Sequence, residues 1–396
     1  MDIPQGYKQT ELGIIPEDWE IVNLGSVAKI NGRIGFRGYT TADLVGVGQG
    51  AYTIGGKHIT NMVLDLHDAE YISWQKYYES PEIMVRKGDI VFAQRGTLGK
   101  SAFIVNDIGP ATINPSLVLI NKIKCDNEYL SYWLQCDKIV EYICSINSQT
   151  SIPMITQNQI EHIPVVLSRI KAEQQAIAEA LGDIDGLIAT LDKKIAKKRL
   201  IKQGAMSQLL TGKKRLPGFS DPWVEKKLGE IGYTYSGLTG KSKDDFGQGN
   251  AKYITFLNVL ANPILKENLF GSITIRENEQ QNKVQFGDLF FNTSSETPED
   301  VGTCAVLLSY HEELYLNSFC FGYRLTDDNV LGLYLAYYFR SRLGRQLMTS
   351  LAQGATRYNL SKELFNASRI ILPETKDEQI AIATILTDMD KEIDDL

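Results

Sequence analysis

EQQAIAEALGDIDGLI, residues Glu173–Ile188, returns near the end of the chain as EQIAIATILTDMDKEI, residues Glu378–Ile393. Either two amphipathic helices look alike by chance, or the chain is one unit written twice. Three further blocks decide. Trp19 and LGSV (Leu24–Val27) recur as Trp223 and LGEI (Leu228–Ile231); VRKGDIVF (Val85–Phe92) recurs as VQFGDLFF (Val284–Phe291); YLSYWL, from Tyr129, recurs as YLAYYF, from Tyr334. Order and spacing hold across all four blocks, so the chain is a tandem repeat. In each copy a mixed region rich in short β-like runs precedes the helix. Gly-Asp reads as a turn feeding a buried strand, and the YL block as a helix with its aromatics on the buried side. Between the blocks the copies share little beyond turn chemistry, as RGYTTADLVGVGQGAYTIGGKHITNMV and KSKDDFGQGNAKYITFLNVLANPIL show. A constant frame with variable inserts suggests two modules doing one kind of job on different targets.

The expected division is an arm (1–17), a first recognition module (18–168), a central helix (169–212), a linker (213–221), a second module (222–374) and a short C-terminal helix (375–396). In the central helix Ile177, Leu181, Ile184, Ile188, Leu191 and Ile195 alternate steps of four and three, a coiled-coil seam. Ile382, Leu386, Met389, Ile393 and Leu396 keep the same steps in the second. The simplest closure packs the two seams antiparallel, with a module at each end and an approximate two-fold axis between them, the geometry that reads two separated half-sites on DNA. The alternative is that each helix packs only on its own module. The fold class expected is α+β: two similar mixed modules separated by long helices in an antiparallel coiled coil. A helix from Ala172 to about Leu210 spans roughly 58 Å, or roughly 17 base pairs as an upper bound on the spacer.

A chain of 396 residues, 43% hydrophobic, has room for two or three cores. It lacks a bilayer-length apolar run, and MDIPQGYKQTELG is unlike an export signal, so the expected location is cytoplasmic, with no membrane partner. Cys125, Cys136, Cys144, Cys304 and Cys320 have no CxxC spacing and suit reduced core thiols. The net charge of −7 argues against a surface that grips nucleic acid everywhere. It leaves room for local basic faces: Lys171–Arg215 carries ten Lys or Arg against five Asp or Glu, although solvated helices also look like this.

The tandem halves, each ending in EQxxIAxxLxxxD, resemble the specificity subunit of Type I restriction-modification enzymes. So do the GYKQTELGIIPEDWE opening (Gly6–Glu20), KQGAMSQLLTGKKRLPGF (Lys202–Phe219) and AQGATRYNLS (Ala352–Ser361). The resemblance covers nearly the whole chain. It implies two target-recognition domains on paired helices, each reading half of a bipartite site in double-stranded DNA, and two docked modification subunits that methylate adenine N6. Restriction subunits would join that core. S-adenosylmethionine, and ATP with Mg for restriction, would be bound by the partners, leaving this chain without cofactor or catalytic residues.

The residues agree that catalysis has little to stand on. No Asn-Pro-Pro-aromatic motif exists; INPSL (Ile113–Leu117) reads as a turn before a strand. GVGQG at Gly46 lacks a nucleotide-binding frame, and GAYTIGGKH (Gly50–His58) misses a phosphate loop by one residue, with His58 where Ser or Thr must meet magnesium. His58, His67, His162 and His311 have no ligand spacing, so no metal is expected.

Readers of DNA need cations for phosphates and Arg, Lys, Asn, Gln, Ser or Thr for base edges. Candidates are Arg95, Thr97 and Lys100 in AQRGTLGK, and Asn292, Thr293 and Ser294 in its acidic counterpart NTSSETPED. Upstream stand Lys57, His58, Thr60 and Asn61, with Thr239, Lys241 and Lys243 in the second copy. Thr150, Ser151, Thr356, Arg357 and Tyr358 lie before the helices, where backbone contact or packing is favoured over base reading. Relative to the family pattern the second helix is short, since Leu396 aligns with Leu191: a trimmed chain, a rearranged gene or a variant helix pair would each account for that. Thr375 and Glu378 spell a capping box that the first EQ helix lacks. The competing functional reading is a free-standing pseudo-dimeric DNA-binding regulator; an enzyme with an unrecognised site is a third.

Overall fold

The computed structural model describes residues 3–60, 62–147, 152–354 and 356–396. The chain forms two compact units, Met1–Ile188 and Ala189–Leu396, and the division falls inside one continuous helix, Lys171–Leu209.

The same framework is built in each unit. In unit 1 an antiparallel sheet runs Ser101–Phe103, Ile90–Ala93, Leu117–Asn121, Lys29–Gly32. In unit 2 the order is Cys304–Val306, Leu289–Asn292, Cys320–Leu325, Gly232–Ser236. A second sheet in each unit contains one parallel pair: Ala111–Ile113 with Gly50–Ile54, and Leu314–Leu316 with Phe246–Ile254. A third antiparallel pair joins the beginning of each module to its end, Glu20–Asn23 with Pro164–Leu167 and Trp223–Lys227 with Arg369–Pro373.

The Gly-Asp turns enter the central strands as expected. Gly88 and Gly287 sit at φ +91° and +85°, where a Cβ would be strained. The following carboxylates accept hydrogen bonds from the backbone three residues back, Arg86 N to Asp89 Oδ2 and Gln285 N to Asp288 Oδ2, both 2.8 Å. Each turn then delivers a fully buried strand, Ile90–Ala93 and Leu289–Asn292. The YL blocks form the helices Asn127–Trp133 and Gly332–Arg340, which pack their aromatics inward. Unit 2 gathers Phe291, Phe321, Phe339 and Phe365 with ring centroids 5.0–6.0 Å apart.

The EQ motif proves to be a backbone staple. Gln174 Oε1 accepts from Asp126 N at 2.8 Å while its Nε2 donates to Ser168 O at 2.7 Å. Gln379 Oε1 accepts from Leu331 N at 2.8 Å, and its Nε2 donates to Asn329 O and Pro373 O. In both copies one buried amide ties the start of the EQ helix to the aromatic helix and the last strand. Tyr132 OH to Asp185 Oδ2 (2.8 Å) and Tyr337 OH to Asp390 Oδ2 (2.9 Å) repeat the attachment three turns along.

The helix seam needs correction. Within unit 2 the distal part of the central helix and the C-terminal helix Lys376–Asp394 do run antiparallel, with Lys198 paired to Glu392 and Lys202 to Asp390. Yet Ile382 and Leu386 are buried in the unit 2 core with Met206, Leu209 and Leu210, so much of this seam belongs to the module. Met389 packs against the same core; Leu191, Ile195, Ile393 and Leu396 are half-buried. In unit 1 Ile177 packs on the module core, whereas Leu181, Ile184 and Ile188 are exposed. The period of the apolar positions marks which face is sticky but not what covers it.

The capping box is not formed: Thr375 makes no side-chain cap, its buried hydroxyl has no partner among the described residues, and the Glu378 carboxylate is engaged by Arg215 at 2.6 and 2.7 Å. The first EQ helix instead starts on Ser168, whose Oγ accepts from Ile170 N and donates to Glu173. All five cysteines are free, but Cys144 is exposed and Cys136 half-buried, so only three are core thiols.

Candidate nucleic-acid interface

The loop after the central strand of unit 1, Gln94–Lys100, turns on Gly96 and Gly99, both at positive φ. Ala93 N donates to Lys100 O at 2.8 Å and Gly99 N to Ala93 O at 3.2 Å, which closes the loop at its base. The loop is also laced to the segment before the EQ helix: Arg95 bridges Met154, and Gly96 N donates to Pro153 O at 3.0 Å. Arg95, Thr97 and Lys100 are thereby held on a fixed backbone with exposed side chains. Among the described residues no carboxylate pairs with Arg95 or Lys100, and Arg95 Nη2 touches only the Met154 sulfur, at 3.4 Å.

Unit 2 makes the corresponding junction as a small sheet. Ser294 and Ser295 pair with Asn359 and Tyr358, and Ala352–Gln353 closes the other side of Tyr358–Leu360. In unit 2 the loop after the central strand and the segment before the C-terminal helix thus form one surface, and in unit 1 Pro153 and Met154 meet the Arg95 loop. Thr356 and Arg357 are exposed there; Thr293, Ser294 and Tyr358 are half-buried. Asn292 is a correction: it is wholly buried, its Oδ1 accepts from Thr303 N and its Nδ2 faces Ser294 O, so it shapes the loop. Arg345 grips the carbonyl oxygens of Glu299 and Val301 and braces the acidic end of that loop. Thr150 and Ser151 lie outside the described residues, as does Asn61.

The upstream candidates divide. Lys57 and Thr60 are exposed on the Gly56–His58 turn and the strand Ile59–Thr60, although Lys57 pairs with Asp68 at 3.0 Å. His58 is buried, and its Nδ1 accepts from Gly55 N at 2.9 Å. Burial, then the charge of Lys57, hold its pKa below the ordinary histidine value. In unit 2 Thr239 and Lys243 are exposed. Lys241 is not: its side chain is 4% exposed, paired with Glu279 and donating to Thr274 O at 2.6 Å. His58 and Lys241 therefore stabilise turns and present nothing to a ligand.

Loops of different charge thus follow the equivalent central strands of the two copies. The profile of the Type I restriction modification DNA specificity domain matches the chain twice, over residues 16–198 and 220–396. The chain belongs to this family. Two archaeal relatives from Methanocaldococcus jannaschii carry the same kind of sequence. A putative type I restriction enzyme MjaX specificity subunit is 27% identical over 300 residues, covering 67% of this chain and 66% of the relative. The MjaVIII specificity subunit is 29% identical over 225 residues, covering 54% of this chain and 50% of the relative. The matches thus span just under two thirds and one half of those relatives' lengths. Among solved structures, the S subunit of a Type I restriction-modification system from M. genitalium matches with TM-score 0.57 at 14% identity, covering 100% of this chain and 92% of that one. A structure concerning complex assembly and conformational transition of the type I system matches with TM-score 0.58 at 17% identity, covering 96% and 91%. These likenesses establish the fold.

The two specificity domains thus coincide with the two copies read from the repeat. Among the described residues no group of three His, Cys, Asp or Glu side chains is placed to hold a metal ion, and no helix is long and apolar enough to cross a membrane.

Proposed function

We propose that this chain is the non-catalytic specificity subunit of a Type I restriction-modification enzyme, each unit reading one half of a bipartite DNA site. One observation carries the reading. The frame contacts are duplicated nearly atom for atom, while the loop after the central strand changes from Arg95, Thr97 and Lys100 to the hydroxyl-rich, acidic stretch after Asn292. A repeated frame carrying divergent inserts and loops is suited to recognising two different base sequences. The central helix would set the spacer, and exposed helix faces with the backs of the modules would seat two N6-adenine methyltransferase subunits. S-adenosylmethionine, and ATP with Mg in the restriction reaction, would then belong to partners; the target adenine must leave the stack to be methylated, and its pocket would be theirs.

The test is co-expression with the cognate methyltransferase subunit and mapping of methylated adenines. Methylation at a split motif only when both chains are present supports the proposal. Tight sequence-specific binding by the isolated chain with no gain from the partner would favour the free-standing regulator.

A further inference from the structure

We propose that a cleft on the four-stranded sheet of unit 1 binds the base of an unpaired guanine nucleotide, its N1–H and N2–H donating to the Asp89 carboxylate and its phosphate meeting the cations at the rim. The inference starts from a difference between the two copies and does not rest on DNA reading. In unit 2 the equivalent place is filled from within. Arg324 sends Nε and Nη2 to the two oxygens of buried Asp288 at 2.9 and 2.7 Å, and Nη2 donates again to Lys283 O at 3.0 Å. The guanidinium lies 5.1 Å over the Tyr235 ring, whose hydroxyl donates to Asp288 Oδ2 at 2.6 Å. One carboxylate there holds a planar pair of N–H donors.

Unit 1 keeps the acceptor and lacks the occupant. The strand registers match Asp89 to Asp288, Asn121 to Arg324 and Asn31 to Tyr235, and the bridges Met84 to Thr112 and Lys283 to Tyr315 bring the same segment alongside. Two short amides where unit 2 has a guanidinium and a phenol leave a cleft of about 500 Å³, lined by Asp89, Asn31, Asn121, Lys29, Arg86 and Lys122, with Met84 and Glu82 on its other wall. Asp89 accepts from Arg86 N at 2.8 Å, and no Lys or Arg side chain pairs with it among the described residues. Burial raises its pKa, the direction expected of a carboxylate short of donors. Asn31 donates to Asn121 Oδ1 at 3.1 Å, which leaves Asn121 Nδ2 without a partner among the described residues and able to meet a purine O6. Charge decides among ligands with a planar donor pair. Glu82 is taken by Arg37 at 3.4 Å, whereas Lys29, Arg86 and Lys122 have no carboxylate partner among the described residues. A bare guanidinium compound would meet those three cations, but guanine with a phosphate satisfies both ends of the cleft. Duplex DNA cannot serve, because cytosine already holds the N1–H and N2–H edge.

Guanosine monophosphate is the probe, titrated into the full-length chain by calorimetry. Saturable one-to-one binding is expected, about tenfold weaker for inosine monophosphate, which lacks the 2-amino donor, and lost for adenosine monophosphate, which presents no such donor pair. D89N keeps an acceptor for Arg86 N but should weaken binding about tenfold or more. N121R supplies from within the group that unit 2 carries, and should abolish binding without lowering the urea midpoint, which separates a filled cleft from an unfolded module. A single-stranded oligonucleotide with one guanine that displaces the bound monophosphate assigns the site to a base within a strand, and no displacement assigns it to the free nucleotide; the guanine reading stands in both cases. No saturable binding, equal affinity for the guanosine and adenosine monophosphates, or binding indifferent to both D89N and N121R would each overturn the inference.

Discussion

Gln174 and Gln379 do the same work in the two copies, and both act on main-chain atoms. Replacing Gln379 by Leu keeps the volume but orphans Leu331 N, Asn329 O and Pro373 O in a buried place. Each such group costs about 1–3 kcal/mol, so Q379L is expected to destabilise unit 2 by roughly 3 kcal/mol, read from its transition in urea. His58 predicts a pH dependence. Its pKa is depressed in the folded chain, so the unfolded state takes up a proton first as pH falls. Stability is full above the ordinary value of 6.5 and is lost as pH drops through the lower folded value. H58N keeps an acceptor for Gly55 N and should flatten that slope in unfolding curves measured between neutral and mildly acid pH. Arg95 is fixed by its backbone and unpaired by any carboxylate among the described residues. R95A is expected to cost about 1–3 kcal/mol of DNA affinity and to relax methylation at one position of one half-site.

Among elements, those carrying repeated text were legible and those fixed by long-range pairing were not. VRKGDIVF and VQFGDLFF announced their turns and strands because Gly and Asp act locally, through a positive φ and a three-residue hydrogen bond. The lacing of Arg95 to Met154, or of Ser294 to Asn359, joins residues far apart in sequence with no shared pattern, so the candidate surface appeared only as disconnected fragments. Lys241 and Asn292 looked like readers because composition does not reveal burial. The EQ pair was visible as a motif, yet its job as a staple depended on which backbone groups it met. The central helix supplies an element-scale prediction, because Leu187 and Ile188 are exposed near the division between units. Seven residues inserted after Ala189 add about 10 Å of helix and turn it by only about 20°. The spacer should lengthen by about three base pairs, with both half-sites retained in methylation maps; a changed half-site sequence would show that the helix does not act as a ruler.

At the scale of the whole molecule, the repeat explains how one chain could acquire new specificities piecewise. The bonds that attach the second module to its helix fall mainly on backbone atoms at Leu331, Asn329 and Pro373, together with the Tyr337 hydroxyl. A related module with a different sequence presents the same atoms provided its Trp223–Lys227 and Arg369–Pro373 strands pair in the same register and a Tyr stands at 337. Exchanging residues 222–374 for those of a relative should therefore preserve folding and change one half of the methylated motif, leaving the other half and the spacer untouched. Because Arg215 and Glu378 both lie outside the exchanged stretch, their ion pair survives the swap and stays available to hold the new module's helix in place. A swap that rewrote both halves together would mean that the two units read DNA as one surface, and the division of labour drawn from the repeat would fail.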